Sequence, residues 1–304
     1  NRTVRHPVCF IDQPLLSKIP RKTLAYLALV FGVMALSLSA LFVRWSEAPG
    51  TVTVFYRMGI AGLALLPFFL RLPAADRQPL RAYWYLPLLG GLCTALDHGL
   101  WSTSIGMTRI ANATLMNYIS PLWVALFAWL VWREKLTGKF WFGLAITLAG
   151  TVVFFGGDAM QGFNVNAGDL LAILSSVFYA FYFLITQRSR QHLRTLAYMA
   201  PVNLITAAFL LTFNLINSYP LSGYPMSTWW AFLGAGLISQ LIGYFAVSFA
   251  LGSLPASIVA PTMILSPVLT TLMAIPFAGE MPALNQWIGG LILLGGIYWV
   301  NRAQ

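Results

Sequence analysis

The sequence predicts an all-α integral membrane protein with ten transmembrane helices, arranged as two five-helix inverted repeats. Of its 304 residues, 59% are hydrophobic and only 9% are charged, whereas a soluble domain has about 25% charged residues. Ten apolar runs are long enough to cross a bilayer as helices. The two halves match each other without a gap after a shift of 146 residues. Because five is an odd number, the second half must enter the membrane upside down relative to the first.

The repeat depends on residue types that are scarce or unusual in apolar sequence. The matching positions are Trp84 and Trp230, Gly90 and Gly236, Ser102 and Ser248, Gly106 and Gly252, Ser120-Pro121 and Ser266-Pro267, Glu134 and Glu280, Trp141 and Trp287, Gly143 and Gly289, and Gly150 and Gly296. Chance explains such a set poorly. We therefore divide the chain into a cytoplasmic tail (residues 1–22), a first repeat (residues 23–157) and a second, inverted repeat (residues 168–301).

The positive charges indicate how the predicted helices are oriented. The ten spans are 23–43, 51–70, 84–105, 110–131, 138–157, 168–187, 195–216, 228–250, 255–277 and 284–301. With the N-terminus inside, the inside segments carry fifteen Lys and Arg residues, and the outside links carry only Arg44 and Arg109. Lys and Arg accumulate in cytoplasmic segments, so both termini are predicted to be cytoplasmic in a bacterial inner membrane. Residues 1–22 lack the apolar core of a signal peptide.

The remaining composition favours neither an enzyme nor a nucleic-acid-binding protein. The orientation of the spans explains the net charge of +10 without a nucleic-acid partner. The two cysteines give no disulfide or metal spacing, the three histidines are too far apart to converge, and there is no ATP-binding GxxxxGK[ST] motif. We therefore predict no catalytic residue, metal or cofactor. The expected partners are a small-molecule substrate and membrane lipids, and the sequence is compatible with a monomer.

Pro121 and Pro267 lie within the predicted fourth and ninth spans. A proline lacks the backbone N–H and disrupts the hydrogen bond to the carbonyl four residues earlier, here that of Asn117 and Met263. A free carbonyl at membrane depth must face protein or a water-filled cavity. The two sites could therefore bind substrate or act as hinges, or they could be simple kinks satisfied by neighbouring hydroxyl groups.

The doubled motif resembles a known repeat. Ser120-Pro121, the run WREKLT at 132–137, and then Gly143 and Gly150 resemble the EamA repeat of the drug/metabolite transporter superfamily, and the second half repeats the pattern at equivalent spacing. The resemblance implies a ten-helix carrier for small metabolites. Within that superfamily, residues 96–101 and 117–121 resemble aromatic amino acid exporters of the YddG type, which implies export.

Several polar and aromatic side chains lie too deep in the spans to belong to the membrane interface. Phenol, imidazole and amide groups in hydrocarbon need partners, so we expect them to face the interior. There they could form a midplane pocket whose rings stack on a substrate, or they could make ordinary hydrogen bonds between helices. The candidate substrate-binding residues are His98, Trp101, Asn117, Tyr118, Tyr179, Tyr182, Gln240, Tyr244 and Met263.

Four charged residues are further candidates. Asp97 is the only deep acidic residue, and such a charge costs roughly 2.5–3.5 kcal/mol to insert. Arg57 has a similar depth, so the two could form an intramembrane pair; alternatively, Asp97 could couple transport to protons or contact water. Glu134 and Glu280 each precede a helix, where a carboxylate favours the positive end of the helix dipole. We expect them to cap a helix or fix a gate.

These features favour a secondary transporter with alternating access. We expect it to export small organic metabolites, aromatic or large neutral amino acids above all, through a central midplane cavity. A cationic drug or toxin exporter and a lipid flippase of similar architecture are the alternatives. A membrane enzyme would need convergent acid, base or metal groups, and the sequence offers no such cluster.

Overall fold

The computed structural model describes residues 20–159, 166–278 and 281–303, and within these ranges the chain contains helices and no strand. Residues 1–19 of the predicted tail lie outside the described part. The first half forms α1 Arg21–Ser37, α2 Ser39–Ser46, α3 Gly50–Leu70, α4 Ala74–Ala82, α5 Tyr85–Ile105, α6 Ile110–Asn117, α7 Ser120–Leu130 and α8 Gly138–Ala159. The second half forms α9 Ala167–Arg190, α10 Thr195–Ile216, α11 Met226–Gly234, a π-helical segment Ala235–Tyr244, α12 Phe245–Ala250, α13 Ala256–Met263, α14 Leu265–Ala278 and α15 Leu284–Arg302.

Eight helical stretches of the described chain are long and apolar enough to cross a membrane. They are Arg21–Ser46, Gly50–Leu70, Ile110–Leu130, Gly138–Gly156, Ala167–Arg190, Thr195–Ile216, Met226–Ala250 and Ala256–Met273. The predicted third and tenth spans are also continuous helices, α5 with 21 residues and α15 with 19. Polar residues such as Asp97 in α5 and Asn285 in α15 make these two less apolar than the other eight.

The spans that carry Pro121 and Pro267 are broken rather than gently kinked. The first break lies at Tyr118 and Ile119, between α6 and α7, and the second lies at Ile264, between α13 and α14. In each case the helix stops about three residues before the proline, where the missing amide and the ring interfere with helical hydrogen bonding. Tyr118 and Ile264 are 146 residues apart, so the break recurs at the same place in both halves.

Other irregular segments are not marked by a proline in the sequence. The first span is interrupted at Leu38, between α1 and α2. Residues 235–244 of the eighth span form a π-helix, a wider helix that often occurs at functional sites. A short surface helix, α4, occupies what the sequence suggested was only a link between spans.

The helix pairs follow the internal repeat. If each helix is replaced by its counterpart in the other half, the same set of pairs results. The second span packs on the seventh (α3 on α10) and the fifth on the tenth (α8 on α15). α5, in the predicted third span, packs on α9, in the predicted sixth. Correspondingly, the π-helical segment and α12, in the predicted eighth span, pack on α1, in the predicted first. These pairings juxtapose the helices that carry the predicted polar side chains.

Glycines bring α8 and α15 into backbone contact. A Cβ added to Gly150 would lie 2.5 Å from the backbone nitrogen of Leu293, and one added to Gly143 would lie 2.8 Å from that of Val300. The equivalent glycines of the second half, Gly289 and Gly296, meet the backbone of α8 even more closely. Helices in lipid associate through such close approaches, so these glycines serve the packing of α8 against α15.

Candidate functional site

A cavity lies between α3, α5, α9, α10 and the π-helical segment. Its free volume is about 10 Å³, room for roughly one water molecule, whereas sites for drug-sized ligands have roughly 300–1,000 Å³. A small organic ligand therefore fits only after the surrounding side chains move. The walls combine aromatic rings, polar groups and apolar side chains, from Met58, Thr94, Asp97, His98, Tyr179, Tyr182, Val202, Gln240 and Tyr244. Six residues predicted from the sequence therefore meet at one cavity. They come from both halves of the chain.

Two neighbouring helices hold Asp97 through neutral donors. Its Oδ1 accepts hydrogen bonds from the Ser175 hydroxyl at 2.6 Å and from the Asn117 amide at 3.0 Å. The same Asn117 amide also donates to the Ser175 oxygen at 2.6 Å. None of the hydrogen bonds found in the described residues ends at Oδ2, although Asp97 borders the cavity. One carboxyl oxygen is therefore fixed by the protein, and the other is available to a ligand.

Arg57 has different partners from those expected. Its Nε donates to Gln240 Oε1 and its Nη1 to the Ser39 hydroxyl, both at 3.1 Å. The guanidinium carbon also lies 5.4 Å from the centre of the Tyr244 ring, within cation–π range. Arg57 and Asp97 therefore do not form the direct ion pair that their similar depth suggested. The reason is that neutral side chains lie closer to each charge than the two charges lie to each other.

Three tyrosine rings line one side of the cavity and contact one another. The hydroxyl groups of Tyr179 and Tyr244 are 3.2 Å apart and form a hydrogen bond. The ring of Tyr182 lies 6.1 Å from that of Tyr244 at 75°, and 6.4 Å from that of Tyr179 at 7°. Such distances are typical of interacting aromatic pairs. The ring of Tyr182 is 3% exposed, so these groups form an interior cluster and not an interfacial belt.

The structure places the other predicted substrate-binding residues away from the cavity wall. Asn117 reaches the site only through Asp97. Tyr118 lies at the helix break, where its ring stacks on Phe155 at 5.8 Å. Met263 ends α13 and is buried in the main hydrophobic core. Trp101 is half-buried near the end of α5, beyond the lining residues. These residues were expected at the site because of their depth in the spans, and depth alone does not determine which way a side chain points.

The predicted hinge residues directly follow the helix breaks, and the predicted gate residue Glu134 lies in the link before α8. Pro121 and Pro267 are the second and third residues of α7 and α14. Glu134 Oε2 accepts a hydrogen bond from the Ser257 hydroxyl at 3.1 Å, which joins the link before α8 to the start of α13 in the other half. Glu280 lies outside the described residues.

One functional candidate was missed by the sequence interpretation. Gln240 Nε2 donates to Asn203 Oδ1 at 2.9 Å, so Asn203 extends the hydrogen-bond network of Arg57 into α10. A signal was present in the sequence, since Asn203 stands 146 positions after Arg57 and is its counterpart in the second repeat. In the described parts of the chain, no three His, Cys, Asp or Glu side chains lie close enough to hold a metal ion.

An interior cavity in a bundle of apolar helices, built from both halves of a repeated sequence, defines a membrane transporter. The chain belongs to the EamA-like transporter family, whose sequence model matches residues 19–156 and 166–302. These two matches coincide with the two halves of the 146-residue repeat and confirm the EamA resemblance.

Individual relatives agree with this assignment. The uncharacterized transporter YwfM of Bacillus subtilis is 27% identical over 72% of this chain and 74% of its own. An uncharacterized transporter of Archaeoglobus fulgidus is 23% identical over 93% of this chain and 98% of its own. A solved crystal structure aligns with a TM-score of 0.77 at 22% identity, over 91% of this chain and 96% of that chain. This last similarity supports the fold alone.

Proposed function

We propose that the protein is an alternating-access secondary transporter that exports small organic metabolites, with aromatic or large neutral amino acids as its substrates. The family supports transport. The observation that carries the substrate class is the interior cavity, where the rings of Tyr179, Tyr182 and Tyr244 lie beside the Asp97 carboxyl group. Carriers built from repeats bind substrate at the interface of the two repeats, and this cavity draws on both.

The chemistry of the walls suits a molecule with a ring at one end and a charged group at the other. The three phenol rings offer faces and edges to an aromatic or branched side chain. The free oxygen of Asp97 and the His98 ring offer polar contacts to an amino group. The cavity is nearly closed, with about 10 Å³ of free volume, and a single amino acid requires less widening of it than a bulky drug.

The proposal includes the full membrane arrangement. In this arrangement the protein has ten spans, which form two inverted five-helix repeats (residues 23–157 and 168–301). Both termini lie in the cytoplasm, and the protein lies in the bacterial inner membrane. The asymmetry of Lys and Arg supports this orientation. The breaks at Tyr118 and Ile264 support the inverted repeats, because discontinuous helices in equivalent positions of both halves are typical of such transporters.

Access to the cavity would alternate by bending at these breaks. Pro121 and Pro267 are the proposed hinges, and Glu134 and Glu280 the proposed gate residues. The hydrogen bond from Ser257 to Glu134 joins the two halves at one end of the bundle. It would have to break whenever that end opens.

The proposal can be tested by uptake of labelled phenylalanine, tryptophan, leucine and a cationic dye into proteoliposomes. We compare the wild type with Tyr179→Leu, which removes a ring of the cavity but keeps apolar volume. Tyr85→Leu is the control, because Tyr85 is 43% exposed and lies outside the cavity. We expect phenylalanine uptake to fall about 2- to 10-fold in Tyr179→Leu and to stay unchanged in the control.

Failure of the wild-type protein to move any amino acid would reject the substrate class. Transport of the dye alone would favour a cationic drug or toxin exporter, for which the free oxygen of Asp97 is the supporting observation. A lipid flippase has weaker support. A 62-residue stretch is 27% identical to a probable 4-amino-4-deoxy-L-arabinose-phosphoundecaprenol flippase subunit of Salmonella enteritidis, over 20% of this chain.

A further inference from the structure

The hydrogen-bond network around Arg57 contains two buried donors without a partner. Arg57 is 5% exposed and Asn203 is 0% exposed. Among the described residues, Arg57 Nη2 and Asn203 Nδ2 are enclosed and have no acceptor within hydrogen-bonding distance. A buried donor that stays unpaired destabilises the fold, and more so if it is charged. Both orphan groups are donors, so the missing partner is an acceptor.

The orientation of the two amides follows from the arginine. Arginine has donors and no acceptor, so Gln240 must turn its Oε1 towards Arg57. The amide nitrogen of Gln240 then points at Asn203, which must present its Oδ1 in return. The remaining group of Asn203 is therefore its Nδ2. Flipping either amide would place two donors against each other, so the surplus of donors does not arise from the assignment of amide atoms.

The charge of Arg57 also lacks a close counter-ion. In the described chain, Arg57 donates to Gln240 and Ser39, which are both neutral. Asp97, a carboxylate that borders the same cavity, forms no ion pair with Arg57, and its Oδ1 accepts from Ser175 and Asn117 instead. A buried cation is unfavourable unless an anion lies close to it. An anionic ligand would meet both requirements, since it supplies negative charge and acceptor oxygens.

The orphan donors lie behind the cavity wall, in contact with residues that line it. Gln240 and Tyr244, which both contact Arg57, line it, as does Met58, the next residue in α3. The ring of Tyr244 covers the guanidinium group, with its centre 5.4 Å away. A ligand can reach Nη2 only if this ring moves, which would break the hydrogen bond between Tyr244 and Tyr179.

We propose that Arg57 binds the carboxylate of the transported molecule through Nη2, with Asn203 Nδ2 as a second donor. The inference rests on the proposed function, because it assumes that substrate occupies this cavity. Guanidinium groups match the geometry of carboxylates. The carboxylate end of the substrate therefore lies against α3 and α10, and its side chain lies among the tyrosine rings.

Equilibrium binding to the purified full-length protein in lipid nanodiscs tests this assignment. Labelled phenylalanine is displaced with unlabelled phenylalanine, with phenylalaninamide, which lacks the carboxylate, and with 3-phenylpropionate, which lacks the amino group. For the wild type we expect phenylalaninamide to bind at least about 10-fold more weakly than phenylalanine. This comparison needs no variant and so does not depend on the folding of a mutant.

The variants then assign the effect to the arginine. In Arg57→Gln, phenylalanine should bind at least about 10-fold more weakly, while phenylalaninamide should keep its wild-type affinity. Arg57→Lys should recover part of the loss, because it retains the charge but not the fork of donors. Arg77→Gln is the matched control, since it removes an exposed positive charge on α4 far from the cavity.

The outcomes separate the two proposals. If phenylalanine and phenylalaninamide bind the wild type equally, the role of Arg57 is overturned and the proposed amino acid substrate stands. If neither amino acid binds but 3-phenylpropionate does, and Arg57→Gln abolishes that binding, the carboxylate site stands and the proposed substrate is wrong. If no carboxylate-bearing compound binds, the inference is overturned.

Discussion

Gly296→Ala tests whether the close contact of α8 and α15 holds the two halves together. A Cβ at Gly296 would overlap the backbone nitrogen and the hydroxyl of Thr147, and it would lie 2.8 Å from the Cα of that residue. Ordinary contacts begin at 3.4 Å. The backbone nitrogen and Cα of Thr147 cannot rotate away, so α15 must move off α8 by roughly 0.6 Å or more.

The neighbouring glycine provides a matched control. Gly295 lies in the same helix, and a Cβ added there would meet nothing within 4 Å. Both substitutions gain the same helix propensity, up to about 1 kcal/mol. The difference between the two variants therefore isolates the steric term, for which overpacking costs about 1–3 kcal/mol. We expect Gly296→Ala to be less stable than Gly295→Ala by that amount.

The free energy of unfolding can be measured by denaturant titration of the purified protein in mixed micelles, followed by tryptophan fluorescence. A difference of less than about 0.5 kcal/mol, the range of neutral surface substitutions, would refute the reasoning. In that case α8 and α15 would tolerate separation, and their contact would not be a rigid element of the fold.

Three further predictions concern charged or titratable groups. Asp97→Asn should keep its hydrogen bonds but lower amino acid uptake into proteoliposomes about 10-fold or more; unchanged uptake would exclude a role for the charge. Glu134→Gln should weaken the bond from Ser257 and speed amide hydrogen exchange at the start of α13, and equal exchange would show that this contact is not a latch. Burial, together with the Arg188 charge, lowers the pKa of His192 from its ordinary value of 6.5, so the folded state favours the neutral ring. Below that value the unfolded chain binds more protons than the folded chain, so the free energy of unfolding should fall as the pH drops from above 6.5. His192→Gln should lose this pH dependence. Denaturant titrations at two pH values can measure the difference.

Most of the helical framework could be predicted from the sequence. The seventh predicted span, 195–216, coincides with α10, and the second, 51–70, differs from α3 by one residue. Apolar runs determine helix positions because backbone groups in lipid must find their hydrogen bonds within the segment. The prolines likewise indicated the two symmetric irregularities. The break at Leu38 and the π-helical segment could not be predicted, because no local residue imposes them.

The candidate site was only partly predictable. His98, Gln240 and Tyr244 were expected in a common pocket, and the structure places them there. Tyr118 was expected there too, but the helix break turns it onto Phe155. Tyr118 was expected there because of its depth in the span, and depth does not determine which way a side chain points.

The sequence by itself determined the class of this protein, its repeat and the position of each polar side chain along its helix. Those properties depend on hydrophobicity and order along the chain. Only the tertiary structure decided the partners of Arg57 and Asp97. The position of a residue along a helix does not determine which way its side chain faces. The rotation of each helix about its axis is set by contacts between segments more than 100 residues apart, such as Arg57 with Gln240. The unpaired donors that point to a carboxylate therefore became visible only once the helices were packed together.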